Sequence, residues 1–186
     1  MTINEFYIKY SIAENTAEVN VQLKRLNKPN TLAGEVVPES LNHISIGELI
    51  MLQTSIRKNK SDYEIFKAFA KVLLKVDITG EERAEDFFGF GLWVLQELER
   101  IGKLFDKVKV KPTEEEVQAG YNKLQFGFFG TLDWWCQRMR ISDHSEAEKV
   151  PWTRMLKCMD MDARKMQYER QLRQIYAQKQ TTSRKR

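Results

Sequence analysis

The chain has few of the residues that most often build chemical sites. Among its 186 residues there are two histidines and two cysteines. Cys136 and Cys158 lie too far apart to form the CxxC motif that redox and zinc sites use. Isolated cysteines within helical sequence are typical of reduced thiols that pack in a core. We therefore expect no disulfide.

The scarcity of histidine and cysteine also argues against catalysis and metal binding. A nucleophile needs a neighbouring base, but His43 lies in a polar connection and His144 in the turn sequence SDHSEAEK, where we expect solvated side chains. The spacings of Cys136, His144 and Cys158, eight and fourteen residues, match no zinc pattern. The sequence thus predicts a protein that is not an enzyme, with no catalytic residue, metal site or cofactor.

Long apolar runs are also lacking. The strongest, FFGFGLWVL at 87–95, has about half of the ~20 residues that a membrane-spanning helix needs. The first residues, MTINEFYIKYS, lack the basic segment followed by an apolar run that marks a secretory signal. We expect no membrane contact and a cytoplasmic location.

Helix signals dominate the sequence from residue 45 onward. A capping box places Ser or Thr before a helix and Glu three residues later, because each side chain then accepts a hydrogen bond from the other residue's backbone N–H. Four segments open with this pattern, Ser45–Glu48, Ser61–Glu64, Thr79–Glu82 and Thr113–Glu116. Apolar residues follow them at helical spacing. The sequence predicts an all-α fold, an irregular bundle of about six or seven helices, with residues 45–178 as the helical domain.

Two features of the C-terminal half are expected from local signals. The helix after Thr113 should run to about Met139, with a break in the GFFG sequence at 127–130, since glycine interrupts helices. Asp160 or Asp162 should cap the last helix, because an Asp side chain accepts hydrogen bonds from a helix N-terminus.

The N-terminal segment, residues 1–44, is less decided. The sequence at 16–28 has helical spacing, whereas INEFYIKYSI at 3–12 could alternate as a short strand. The stretch 27–40 contains two prolines and a glycine and predicts an irregular connection.

Positive charge is concentrated at the C-terminus. The net charge is +4, while residues 162–186 alone carry +6. Residues 179–186 should form a mobile basic tail. The candidate basic-tail residues are Arg170, Arg173, Lys179, Arg184, Lys185 and Arg186. They are either cations near the negative end of a helix dipole or an electrostatic arm for nucleic acid.

Two similar segments combine glycine with aromatic residues, FFGFGLW at 87–93 and FGFFGTLDWW at 126–135. Glycine among helices often allows close packing or a kink, so we expect these aromatic side chains to lie mainly in the core. The alternative is a groove for a partner, because aromatic residues are enriched at protein interfaces.

Two stretches resemble proteins of tailed bacteriophages. LNHISIGELIMLQTSI with DYEIFKAFAKVLLKV, within 41–76, resembles a helix pair of small morphogenesis proteins, and FGTLDWWCQRM with VPWTRMLKCMDMDARKMQYERQLRQI, within 129–175, resembles the C-terminal half of tail assembly chaperones. The resemblance implies a non-enzymatic chaperone in the host cytoplasm that binds the helical tape-measure protein and keeps it soluble. The contact surface it implies is an apolar groove lined by Trp134, Trp135, Trp152, Met155 and Met159.

Other roles stay open at this point. A structural virion component, such as a connector or ring protein, is the first alternative, and a nucleic-acid-binding accessory protein that uses the basic C-terminus is the second. A homo-oligomer is compatible with each of them. No apolar heptad is long enough to predict a coiled coil.

Overall fold

The computed structural model describes residues 1–12, 16–23, 25–58, 61–124 and 126–184. Within these ranges the chain forms nine α-helices, a 3-10 helix at Tyr121–Lys123 and a two-stranded antiparallel sheet. The helices are α1 (Ile3–Ser11), α2 (Thr16–Leu23), α3 (Ile46–Lys58), α4 (Asp62–Leu73), α5 (Ala84–Val108), α6 (Glu114–Gln118), α7 (Gly127–Met139), α8 (His144–Glu148) and α9 (Trp152–Arg184). The strands are β1 (Thr31–Leu32) and β2 (Glu35–Val36). The predicted all-α class is confirmed.

The chain divides into two compact units, Met1–Ile101 and Gly102–Arg186. This boundary differs from the predicted one at residues 44–45. The reason is that Leu32, Val37 and Leu41 are at most 3% exposed. Because burial of apolar side chains is what ties a segment to a core, the N-terminal residues belong with the helices that follow them.

The N-terminal residues form a helix, not the strand that their alternation suggested. Thr2 and Glu5 make a complete capping box at the start of α1. Ile3 and Phe6, one helical turn apart, are both buried. The backbone N–H of Ile3 also donates to the carbonyl of Glu82 at 3.0 Å. Capping and a buried i, i+3 pair therefore outweigh a weak two-residue alternation.

The predicted irregular connection at 27–40 contains the small hairpin of β1 and β2. Thr31 pairs with Val36, and the turn between the strands places Ala33 and Gly34 at φ values of +50° and +86°. A type I′ turn needs positive φ angles at both of its central residues, and its twist matches that of a two-stranded hairpin. Leu32, the second residue of β1, is buried.

Most of the predicted helix starts are confirmed. Ser45 and Glu48 exchange hydrogen bonds of 2.9 and 3.1 Å between backbone and side chain. Thr113 caps α6 in the same way, and the Ser61 hydroxyl accepts the backbone N–H at the third position of α4. Thr79 is the exception, because α5 begins only at Ala84. The Thr79–Glu82 hydrogen bonds instead close the turn that precedes that helix.

Close packing explains the glycines of α5. A Cβ on Gly91 would overlap the ring of Phe66, and one on Gly89 would overlap the carbonyl oxygen of Asn27. The predicted role of glycine in close helix packing is therefore confirmed for Gly91, which lies against α4, whereas Gly89 lies against the backbone of a connection. The neighbouring side chains of Phe87 and Phe90 are both fully buried in the core of the first unit.

The helices of the second unit begin and end at other residues than predicted. The helix after Thr113 stops at Gln118, and the chain turns through Gly120, whose φ is +93°. Gly127 is the first residue of α7, and Gly130 lies inside it. The described residues contain nine α-helices, where about six or seven were predicted.

The predicted cap at Asp160 or Asp162 is wrong. Both residues lie inside α9, which is continuous. Asp160 forms an ion pair with Arg164 at 2.9 Å, and Asp162 with Arg138 at 3.2 Å. Each carboxylate therefore pairs with an arginine side chain and does not cap a helix N-terminus. Among the described residues, no helix is long and apolar enough to cross a membrane.

Candidate functional site

The five residues expected to line a partner groove do not form an exposed surface. Trp135, Trp152 and Met155 lie in the core of the second unit and are at most 1% exposed. Trp134 and Met159 are half-buried. The Trp152 ring lies 5.9 Å from that of Phe105, centroid to centroid. These large side chains hold the second unit together, and a partner cannot reach the three in the core without disrupting that packing.

The histidine predicted to be solvated in the second unit is packed against two side chains. The His144 ring stacks on Phe129 at 5.0 Å, and its Nε2 atom lies 3.8 Å from Oδ1 of Asp133. That nitrogen is buried and makes no hydrogen bond. His43 of the first unit is exposed, as expected.

The cysteines show no sign of activation. Cys136 is 6% exposed, and burial, together with the nearby acids Asp133 and Asp143, raises the pKa of its thiol. A raised pKa lowers the thiolate fraction and hence the reactivity. Both Cys136 and Cys158 are free thiols. Within the described ranges, no three histidine, cysteine or carboxylate side chains are arranged to hold a metal ion.

The C-terminal helix offers a different candidate surface. α9 has 33 residues, which makes it roughly 50 Å long at 1.5 Å per residue. Its first half is anchored by Trp152, Met155 and Ala163, all at most 9% exposed. From 171 to 180 every residue is exposed except Leu172, which is half-buried. The part of α9 from 171 to 180 is therefore largely exposed within this unit.

A line of apolar residues follows the exposed side of α9. We name Met161, Tyr168, Leu172 and Ile175 the α9 stripe. Met161, Tyr168 and Ile175 are 56%, 63% and 48% exposed. At 100° per residue, Met161 lies about 200° around the helix from the buried Ala163, so the stripe faces away from the core.

The spacing within the stripe is that of a helix-pairing surface. Steps of seven, four and three residues place its members at the a and d positions of a heptad. The neighbouring a positions are Lys165 and Lys179, both exposed. Sequence reasoning did not find the stripe, because these two lysines interrupt the apolar heptad. The signal that could have found it is the period of seven shared by Met161, Tyr168 and Ile175.

The predicted basic-tail residues have different surroundings. Arg170 is held by two groups of its own unit and is not a free cation, since it donates to both carboxylate oxygens of Glu116 and to the carbonyl of Lys111. The Arg173 side chain is 80% exposed and lies 3.9 Å from a Glu169 oxygen.

The end of the predicted tail is also partly helical. Lys179 is exposed, and α9 extends to Arg184, so the predicted mobile tail is helical at least that far. Lys185 and Arg186 lie outside the described residues. From 170 to 186 the sequence has six cations and no acid.

A second exposed apolar segment lies before and within the first turn of α7. Leu124, Phe126 and Phe129 are 62%, 68% and 64% exposed. Phe126 and Phe129 therefore depart from the expectation that the aromatic residues of FGFFGTLDWW lie mainly in the core, whereas Trp135 is buried as expected. Phe126 precedes α7 and Phe129 lies in its first turn, whereas Leu132 and Trp135 further along the helix are buried.

No protein-family model, curated protein or solved structure matches the chain. The geometry of its own residues is therefore the basis for inferring a function.

Proposed function

We propose that this chain is a non-enzymatic binding protein that holds a helix of another protein along the α9 stripe. The observation that carries the proposal is the stripe itself, three of whose four apolar residues are about half exposed or more on a helix anchored by its other face. An amphipathic helix recognises such a surface through apolar residues at i, i+3, i+4 and i+7.

Charge favours an acidic partner helix. Lys165 and Lys179 occupy the a positions next to the members of the stripe, where they would face a paired helix, and Lys165 also lies 4.0 Å from a carboxylate oxygen of Glu169. A second copy of α9 in a parallel pairing would bring like charges together, which opposes association. Carboxylates at the facing positions of another protein would instead neutralise them. The partner class is therefore an amphipathic helix with an apolar face and flanking acids.

The resemblance to tail assembly chaperones suggests which protein contains the partner helix. We infer that the helix belongs to a tape-measure protein, which the chain keeps soluble in the host cytoplasm until the tail tube assembles. Covering an apolar helical face is what such a role needs, because an exposed apolar surface drives aggregation. Neither a catalytic residue nor a cofactor is required.

The binding proposal is tested with two designed helical peptides of about four heptads, which share one apolar face. One has Glu at the flanking positions and the other has Lys. Fluorescence anisotropy should show tight binding of the acidic peptide only. Ile175→Glu should weaken that binding by at least about tenfold, or roughly 1.4 kcal/mol. Gln174→Glu, with the same charge change on an exposed neighbour off the stripe, should leave it within about twofold.

Two results would contradict the binding proposal. Equal affinity for both peptides, or equal effects of the two substitutions, would show that the α9 stripe is not the contact surface. If the binding holds, mass spectrometry of purified virions separates the biological roles. An assembly chaperone should be absent from the virion, whereas a connector or ring protein should be present in fixed copy number.

The run of cations from 170 to 186 favours nucleic acid as a second candidate ligand. Such binding should fall steeply with salt and disappear when residues 179–186 are deleted. The same deletion removes Lys179 but none of the four residues of the α9 stripe, so it should weaken binding of the acidic peptide without abolishing it. Salt-insensitive or absent DNA binding would rule out this second function.

A further inference from the structure

The first unit contains an apolar pocket of about 320 Å³ between α1, α2 and the start of α5. Its apolar walls come from Phe6, Tyr10, Val19, Leu23, Ala84 and Phe88. The volume lies at the lower end of the roughly 300–1,000 Å³ that small-molecule sites occupy. The walls belong to three different helices, so the pocket is a feature of the folded unit.

The pocket stays open because α2 covers it incompletely. Val19 and Leu23 are half-buried, and none of the residues of α2 whose burial is described is fully buried. The open pocket leaves its apolar walls in contact with water. An apolar molecule that fills the space would remove this surface from water, and this favours binding over an empty pocket.

Two charged side chains of opposite sign, Lys9 and Glu85, line the pocket. Glu85 is already paired with Arg83 at 3.1 Å. Among the residues that the structure describes, no carboxylate pairs with Lys9. The unpaired ammonium therefore complements an anionic group on the ligand.

We propose that this pocket binds a small apolar molecule that carries one carboxylate, such as a medium-chain fatty acid. Its hydrocarbon part packs against Phe6 and Phe88, and its carboxylate lies at Lys9. The residues that line the pocket belong to the first unit and those of the α9 stripe to the second. The proposal therefore does not depend on the binding of a helical partner.

Calorimetric titration of the full chain with decanoate and with decanol tests this proposal. Decanoate should bind at one saturable site, more tightly than decanol. Val19→Trp fills the pocket and should lower the decanoate affinity by at least about tenfold. Val21→Trp is the matched control, because Val21 is 50% exposed on the same helix and does not line the pocket. It should bind decanoate as the native chain does.

The charge contribution is tested with Lys9→Gln, a substitution of an exposed side chain. It should weaken decanoate severalfold and leave decanol unchanged. The proposal is overturned if decanoate shows no saturable binding, if Val19→Trp and Val21→Trp bind it equally, or if Lys9→Gln affects both ligands alike. Ile175→Glu should bind decanoate normally, which separates this result from that of the peptide experiment.

Discussion

Arg170 of α9 and Glu116 of α6 form a two-bonded ion pair, in which Nη2 of the arginine donates to Oε1 and to Oε2, each at 2.9 Å. Oε2 of Glu116 also accepts the backbone N–H of Thr113 at 2.8 Å, as part of the capping box. The same carboxylate thus caps α6 and fixes α9 at the point where its exposed half begins. Nη1 of Arg170 adds a bond of 2.8 Å to the carbonyl of Lys111.

Arg170→Ala should therefore destabilise the second unit. Loss of charge-assisted hydrogen bonds at a half-buried site costs about 1–3 kcal/mol in the free energy of unfolding. Arg173→Ala removes a neighbouring arginine that is 80% exposed, and it should change stability by no more than about 0.5 kcal/mol. Urea denaturation measures both, and hydrogen exchange should show faster opening of α6 in the first variant. Equal effects would mean that the Glu116 pair does not stabilise the unit.

Two glycines of α5 should respond to alanine in opposite ways. Gly91→Ala places a methyl group against the Phe66 ring, whereas a Cβ on Gly102 meets no atom within 4 Å. Overpacking costs about 1–3 kcal/mol, while alanine at an unhindered helical glycine stabilises by about 0.5–1 kcal/mol. Thermal unfolding should thus show a lower Tm for Gly91→Ala and a higher one for Gly102→Ala. A higher Tm in both would contradict the close approach at Gly91.

The helices could be predicted where local chemistry determines them. Ser45 and Thr113 begin helices because their hydroxyls cap backbone groups only a few residues away. The same signal stands at Thr2 and Glu5, but the alternation of residues 3–12 obscured it. The sequence of residues 3–12 is therefore compatible with a helix and with a strand, although Thr2 and Glu5 have the spacing of a capping box.

The candidate surface could not be predicted in the same way. An apolar helix face has one sequence pattern whether it enters a core or a groove, so the pattern left Trp135 open between the two and did not show that Trp152 is buried. Their burial depends on residues far along the chain, such as Phe105 beside Trp152. Conversely, Tyr168 and Ile175 could be recognised as surface residues only once Ala163 and Arg170 had defined the inward face of α9.

The two cysteines should differ in their reaction with iodoacetamide. Cys136 is buried, its pKa is raised mainly by desolvation, and its sulfur lies 4.0 Å from the Asp143 carbonyl oxygen. Cys158 is half-buried. Because alkylation needs an accessible thiolate, mass spectrometry should find Cys158 labelled first and Cys136 labelled only as the second unit opens. In a Cys158→Ser variant, labelling of the native protein should be nearly abolished. Rapid labelling of that variant would contradict the burial of Cys136.

Glu97 should make the first unit sensitive to acid. Its carboxylate accepts hydrogen bonds from Nε and Nη2 of Arg100, each at 2.8 Å, and from the backbone N–H of Leu41 at 2.9 Å. The Arg100 hydrogen bonds are the largest cause that lowers the pKa of Glu97 below its ordinary value. The bonds fix the connection before α3 onto α5, so their loss should loosen that connection.

The sign of the pH effect follows from the lowered pKa. The folded state binds this proton less readily than the unfolded state does. The ionised carboxylate therefore stabilises the fold fully above the unfolded pKa, near 4.3, and this contribution is lost as the pH falls through the folded value. Glu97→Gln should cost about 1–3 kcal/mol at pH 7, and its unfolding free energy should change less between about pH 5 and 3. Glu35→Gln, at an exposed position of β2, is the control and should follow the native pH curve. Urea midpoints across this range measure the difference, and parallel curves for Glu97→Gln and the native chain would show that the Arg100 pair does not act through the charge of Glu97.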